Sequence, residues 1–390
     1  MILIRNGEVF GPRALGRRDV LAGGRKILAV EKRIDPAGLP GEVEVIDAGG
    51  LAVVPGFVDG HQHFTGGGGE GGFHTRTPEM RLSMNTTNGV TTAVGVLGTD
   101  ALTRSVESLY AKTQSFNAEG ITAFMLTGSY WHPSPTITGS VARDLVYLQP
   151  VIGCKLALSD IRGPHIEAAD LARLASDIRV AALVANKPGI ITVHTGVKPG
   201  GLELILEVVG RHGLRADMFV PTHINRKNAE LTVQVLELAR LGAVVDATCM
   251  LSPPAADAPH LTAADFAVLA DANGVFDRVA FSSDAGGSLP VWNEDRSRIV
   301  GMGIGTPASL LAELARLVNA KGIALEKALC PLTTTPARLY GLSGVKGELA
   351  PGADADILVL DPGRMTARDV LASGTVMVRN GTLEKKGYFE

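Results

Sequence analysis

The sequence predicts an α/β fold: a closed, parallel (β/α)8 barrel of the TIM type, with a small β-sandwich domain built from both chain ends. Three observations carry this expectation. Eight short apolar runs alternate with stretches whose apolar residues recur at helical spacing, the pattern of βα units around a parallel sheet. The first fifty and last forty-five residues instead break into short strand-like pieces interrupted by Gly and Pro. The length of 390 residues exceeds the roughly 250 of one such barrel and leaves room for a second, smaller unit.

Taken in order, MILIRNGEVF (1–10), RKILAVEKRI (25–34) and EVEVIDAGG (42–50) read as strands of the small domain. Barrel strands are then expected at 51–60, 90–98, 121–128, 151–158, 189–196, 217–224, 243–250 and 278–285. Helical spacing marks 166–185, 202–212, 229–242 and 308–320. GELAPGADADILVLD (347–361) and GTVMVRNGTLEKKGYF (374–389) return to short strands, which places 1–52 and 344–390 in one β domain around a barrel of 53–343. A doubly wound open sheet is the competing arrangement. Polar residues closing nearly every strand favour the barrel, whose chemistry gathers at the C-terminal strand ends.

Net charge is 37 − 40 = −3 without long runs of one sign, so neither nucleic acid nor an anionic membrane is an expected partner. No stretch of 18 residues is apolar enough to span a bilayer, and MILIRNGEVF lacks the apolar core and cleavage site of a secretory signal. Cys154, Cys249 and Cys330 are too far apart for a metal-binding CxxC pair and read as small buried apolar residues in a reducing cytoplasm.

The chemistry-bearing residues sit where the strands end. His61-Gln62-His63 closes the first; residues two apart on a strand share a face, so both imidazoles can reach one ion. Lys155 interrupts the fourth, His194 and His223 close the fifth and sixth, and Asp284 closes the eighth. Each has a plain alternative: a solvated loop for the HxH pair, a snorkelling or ion-paired Lys155, a turn aspartate before Gly-Gly. Together, four histidines, a buried lysine and an aspartate on one face suit two divalent metal ions. A desolvated lysine reaches its neutral form readily, and a neutral amine can add carbon dioxide to become an anionic carbamate ligand.

In these residues the chain resembles the amidohydrolase superfamily. PGFVDGHQH (55–63) matches its first-strand motif and GELAPGADADILVLD its C-terminal β-domain motif. Within the superfamily it is most similar to the bacterial isoaspartyl dipeptidase family, through GGGGEGG (66–72), TRTPE, VGVLGTD, MLTGSY, TITGSV, VIGCKLALSDIR, PTHINR and FSSDAGGS. The resemblance implies hydrolysis of the β-aspartyl isopeptide bond of a small dipeptide by a metal-bridging hydroxide. His61, His63 and Asp284 would bind one ion, His194 and His223 the other, and carbamylated Lys155 both; zinc is expected, though imidazole and carboxylate also admit manganese, cobalt or nickel. Asp284 would be general base and then acid, and Tyr130 the oxyanion donor. Glu70 would hold the substrate ammonium, Gly68, Thr99 and Ser288 its α-carboxylate, and Arg162 and Arg226 the carboxylate of the second residue. The resemblance also implies a homo-oligomer, an octamer.

By themselves, GGGGEGG also reads as a flexible linker, Arg162 and Arg226 as surface residues, and Tyr130 as a core aromatic. One departure stands out: Ala-Gly-Gly-Ser follows Asp284 where Gly-Asn-Gly-Ser is expected, and Phe73 and His74 flank the glycine run. Two competing functions remain. A related amidohydrolase acting on an N-acyl amino acid, cyclic imide or hydantoin would share the metal residues but have no use for Glu70. A non-catalytic scaffold would bind no metal.

Overall fold

In the computed structural model, which describes residues 1–251, 260–293 and 298–390, eight parallel strands follow one another around a barrel in chain order. They are Phe57–Gln62, Val90–Gly95, Thr122–Gly128, Val151–Leu158, Ile190–Thr195, Phe219–Thr222, Val245–Thr248 and Val279–Ser282. A bridge between Gln62 and Ala285 joins the last strand to the first, and the His63 N–H donates to Ala285 O at 2.7 Å. That closure excludes the open doubly wound sheet.

Alternation along each strand explains what the barrel holds. Cys154, Leu156 and Leu158 of the fourth strand join the outer hydrophobic cluster under the helices, which turns Lys155 to the opposite face. Ile191 and Val193 leave Thr192 and His194 facing inward, and Val245 and Ala247 leave Asp246 and Thr248. Deeper in, Val58, Val94, Leu126, Ile152, Ile190 and Val220 pack with Tyr340, from beyond the last barrel helix, as an apolar plug. The Tyr340 hydroxyl donates to Gly60 O at 3.2 Å, and a Cβ on Gly60 would lie 2.0 Å from that hydroxyl. Gly60 therefore lets the plug seat. The barrel is apolar at its floor and polar at its mouth.

The four expected helices are present at Ala168–Ala185, Glu203–His212, Ala229–Arg240 and Ala308–Ala315, the last continuing as a π-helical turn over Arg316–Ala320. Among the described residues three further α-helices of seven or more residues carry no clear periodic signal. Val106–Glu119 buries only Val106, Leu109, Thr113 and Phe116; Val141–Tyr147 is short; Ala263–Ala272 is apolar on nearly every side. Among the described residues no helix is long and apolar enough to cross a membrane.

The chain ends form one nine-stranded sheet. Along its main path the order is Thr382–Leu383, Thr375–Arg379, Thr366–Ala372, Ile357–Asp361, Ala52–Pro55, Ile2–Phe10, Ala14–Gly23 and Lys26–Glu31, with Glu44–Asp47 parallel to Ile2–Phe10. Val53, Ile357 and Val359 face a core with Ile4, Val9 and Val20, while Val54, Leu358 and Leu360 face the barrel's outer cluster. Burial on both faces gives these strands their continuous apolar runs. One expectation needs correction. The run 51–60 is not one barrel strand: Ala52–Pro55 pairs with Ile357–Asp361 in the terminal sheet, and the barrel begins at Phe57. The break falls at Pro55-Gly56, where a Cβ on Gly56 would lie 2.3 Å from Thr91 Oγ1.

Candidate metal centre

His61, His63 and Asp284 converge at the mouth, with their ligand atoms all within 4.8 Å of one another. Asp284 Oδ1 lies 3.2 Å from His63 Nε2 and 3.5 Å from His61 Nε2. Lys155 Nζ, fully buried, is 3.2 Å from His61 Nε2. The ring of His223 stands 5.3 Å from that of His61 and 4.7 Å from that of His194. The structure thus brings together all six residues expected to bind metal, from five different strand ends.

Two of them sit in strained backbone. His223 has φ of 61° and Asp284 of 50°. A non-glycine residue there costs on the order of 1–3 kcal/mol and persists where the surroundings enforce it. Around Asp284 they do: a Cβ on Gly287 would be 2.7 Å from Asp284 Oδ1, and one on Gly305 2.0 Å from Asp284 O. Gly286, at φ 74°, would put a Cβ 2.4 Å from His63 O, so this loop is built for glycine where a polar residue was expected.

The electrostatics suit a metal. Burial, with Lys155 and neighbouring histidines adding to it, holds the His61 ring well below the ordinary imidazole value. Burial likewise lowers His223 far, and His194 to about 3. All three rings are therefore neutral, the form that ligates. Burial pushes the Lys155 amine down to about 8 against the pull of Asp284 and Asp246. Asp284 Oδ1 and His63 Nδ1 are buried without a hydrogen-bond partner. A buried acceptor oxygen left without a hydrogen-bond donor between two imidazole rings is what a cation would satisfy, so the residues present fit divalent ions.

Comparison with known proteins agrees. The amidohydrolase family model matches residues 166–385, more than half of the chain, and a second amidohydrolase family model matches 44–104. The chain belongs to the amidohydrolase family. As an amidohydrolase it is a hydrolytic enzyme, and the family uses divalent metal ions. The beta-aspartyl dipeptidase of Fervidobacterium islandicum, solved in complex with beta-Asp-Leu dipeptide, is 36% identical over 98% of this chain and 97% of that one, with a TM-score of 0.91. The dihydropyrimidinase of Brevibacillus agri, 18% identical over 99% of this chain and 96% of that one with a TM-score of 0.70, shares the fold. A dihydroorotase of Streptococcus pyogenes is 32% identical over 143 residues, so the match spans about a third of that relative's length and 32% of this chain.

Beside this amidohydrolase centre, most of the expected substrate residues, Arg226 excepted, gather around Glu70, whose carboxylate accepts from Ser288 Oγ at 3.1 Å and Thr99 Oγ1 at 3.3 Å and pairs with Arg162 Nη1 at 3.2 Å. GGGGEGG is a folded loop rather than a linker: Gly68 bridges Arg76, Thr77 Oγ1 accepts from Gly67 N–H and donates to Gly286 O, and the buried Arg104 donates to Thr65 O and Thr77 O. Phe73, expected beside this loop, is 83% exposed. Arg226 lies apart from Glu70, donating to Thr195 O and approaching His260 at 3.3 Å, near enough to His223 to help keep that ring neutral. Tyr130 is buried, its hydroxyl 2.5 Å from His194 Nδ1, and burial raises it well above the ordinary phenol value, so it stays a donor.

Sequence reasoning missed the residues behind these. Thr222 Oγ1, which stands 3.2 Å from His61 Nδ1, and Ser282 Oγ donate to Asp246, whose carboxyl burial pushes up to about 7. Thr248 Oγ1 is 2.7 Å from His223 Nδ1, and Asp160 Oδ2 is 2.9 Å from His194 Nε2. Burial works against a charge on Asp160, but hydrogen bonds from His194 and Arg162 hold its carboxyl well below the usual range. Their signal was weak: a Thr or Asp inside or just beyond an apolar strand looks like any strand-end residue. Of the cysteines, Cys154 and Cys249 are buried and Cys330 half-buried, all free.

Proposed function

We propose that this amidohydrolase is a binuclear, metal-dependent dipeptidase that cleaves the β-aspartyl bond of isoaspartyl dipeptides. The observation that carries the reading is Glu70: a carboxylate with an 11% exposed side chain, ringed by two hydroxyls and Arg162, set on a loop at the same mouth as His61, His63 and Asp284. Such a carboxylate suits a substrate ammonium. An isoaspartyl residue offers a free ammonium and a free α-carboxylate on the same carbon, whereas hydantoins and dihydropyrimidines carry no ammonium. The whole-chain likeness to an enzyme solved with beta-Asp-Leu supports the same choice.

In this reading His61, His63 and Asp284 would hold one ion, His194 and His223 the second, and Lys155, as a carbamate, would serve both. Such ions, with zinc the first expectation, would supply acidification of a water and polarisation of the scissile carbonyl. One Asp284 carboxylate oxygen would face the ion, and the other would take the proton of the attacking water and return it to the leaving amine. Tyr130 donates its hydroxyl hydrogen to the developing substrate oxyanion. The Glu70 carboxylate holds the ammonium, the Gly68 backbone, Thr99 and Ser288 the α-carboxylate, and Arg162 and Arg226 the carboxylate of the departing residue. The reading extends to a homo-oligomer, an octamer, in a reducing cytoplasm, in keeping with three free thiols.

The test is release of free aspartate and leucine from β-Asp-Leu by the purified, zinc-loaded protein. Release above the chelated control, with hydantoin and N-acetyl amino acids untouched, supports the reading; turnover of only the latter replaces it with the related amidohydrolase activity.

A further inference from the structure

Asp160 lies just beyond the fourth barrel strand and two residues before Arg162. We propose that Asp160 is a positioning residue that decides which nitrogen of His194 carries its hydrogen and at the same time aims Arg162 toward Glu70; this rests on reading His194 as a metal ligand.

The side chain is buried and every contact it makes is to a donor. Oδ1 accepts from the Arg162 backbone N–H at 2.8 Å and from Arg162 Nε at 2.9 Å. Oδ2 accepts from Arg162 Nη2 at 2.9 Å and from His194 Nε2 at 2.9 Å. A carboxylate offers only acceptors, so Nε2 must carry the hydrogen and Nδ1 is left with a lone pair. The Tyr130 hydroxyl, 2.5 Å from Nδ1, is then the donor in that contact. Arg162 Nη2 also lies 3.3 Å from His194 Nε2, an approach of two donors that only a shared acceptor makes tolerable.

The direction of the whole chain, from Tyr130 through His194 to Asp160, is therefore fixed at the Asp160 end. Nδ1, which accepts from Tyr130 here, is the nitrogen whose lone pair can turn to a cation once the Tyr130 hydroxyl donates elsewhere. The backbone reinforces the arrangement: a Cβ on Gly196, two residues beyond His194, would lie 2.1 Å from Ser159 O and 2.4 Å from Asp160 Cα. Ser159 itself holds φ of 53°. The turn carrying Asp160 and the strand end carrying His194 are thus packed backbone to backbone. An amide at position 160 could present its oxygen to His194 or to Arg162, with its NH2 forced against the other.

The experiment titrates chelated wild type, Asp160→Asn and Asp160→Glu with zinc by calorimetry, without substrate. Wild type takes two ions per chain. Asp160→Asn keeps one, with affinity for the second weakened about 10- to 100-fold, the usual effect of removing a carboxylate behind a ligating histidine. Asp160→Glu keeps a carboxylate and retains both. Should Asp160→Asn fail to fold, Asp160→Glu alone still decides, since loss of its second ion overturns the proposal. A folded Asp160→Asn with wild-type affinity for both ions overturns it as well. Wild type holding fewer than two ions removes this proposal and the binuclear reading together. Two ions without β-Asp-Leu cleavage sinks only the substrate reading and leaves the titration in force.

Discussion

Replacing Glu70 by glutamine removes one negative charge and leaves the shape nearly unchanged. The carboxylate is largely buried, accepts from Ser288 and Thr99, and pairs with Arg162. The amide oxygen can still accept from one hydroxyl, but the group can no longer balance a substrate ammonium beside a fixed guanidinium. Truncating one partner of a buried, hydrogen-bonded charge pair costs about 2–5 kcal/mol. At about 1.4 kcal/mol per decade, kcat/KM for β-Asp-Leu should fall roughly 30- to 4000-fold. The assay is steady-state release of leucine by Glu70→Gln, with N-acetyl-β-Asp-Leu as a substrate lacking the ammonium. Wild type should discriminate strongly against the acetylated compound and the variant hardly at all, while zinc content stays at the wild-type level because no metal residue is touched. A variant within about threefold of wild type on β-Asp-Leu would refute the placement of the ammonium at Glu70.

Other consequences follow from the same geometry. Tyr130→Phe removes a single donor and should lower kcat by about 10²–10³ while KM and metal content hold, measured by kinetics and elemental analysis; an unchanged kcat takes Tyr130 out of the chemistry. His61, His194 and His223 stay neutral in the folded protein well below their ordinary values. Below a pH of about 6.5 the unfolded chain therefore binds more protons than the folded one, and stability must fall as pH drops. In metal-stripped protein the denaturant midpoint should decline from there towards pH 3, where His194 itself titrates, and His194→Asn should flatten the slope. Gly60→Ala drives a methyl group to 2.0 Å from the Tyr340 hydroxyl and should cost about 1–3 kcal/mol in denaturant unfolding, with Tyr340→Phe recovering part of it. Strictly additive losses in the double variant would contradict that contact.

The barrel was legible because strands buried on both faces carry runs of Val, Ile and Leu that few other elements need, and because the mouth puts polar side chains where those runs stop. The same property hid the join between the two sheets. LAVVPGFVDG is apolar on both sides of Pro55-Gly56, so nothing in the pattern tells that Val54 and Val58 belong to different sheets. Ala14–Gly23 escaped notice because Arg17, Arg18 and Asp19 break its apolar pattern, and Val106–Glu119 because its stripe includes Thr113 and faces a mostly polar remainder.

The candidate metal residues could be picked out because histidine is rare and its strand-end placement is hard to explain by packing. Asp160 and Asp246 could not, since an aspartate beside a turn or within a strand has many ordinary uses and only three dimensions show His194 and Thr222 against them. The resemblance gave Arg162 the carboxylate of the second residue as partner; folded, it is already shared between Asp160 and Glu70. That sharing holds its guanidinium in place before any ligand arrives.

The proposed pair of ions meeting at one mouth around a modified lysine is tested most directly by anomalous diffraction from crystals of the zinc-loaded protein. Two anomalous peaks, one among His61, His63 and Asp284 and the other beside His194 and His223, with carboxyl density extending from Lys155 Nζ between them, are the expected result. A single peak, or an unmodified lysine with both histidine pairs turned away from the metal, would contradict it.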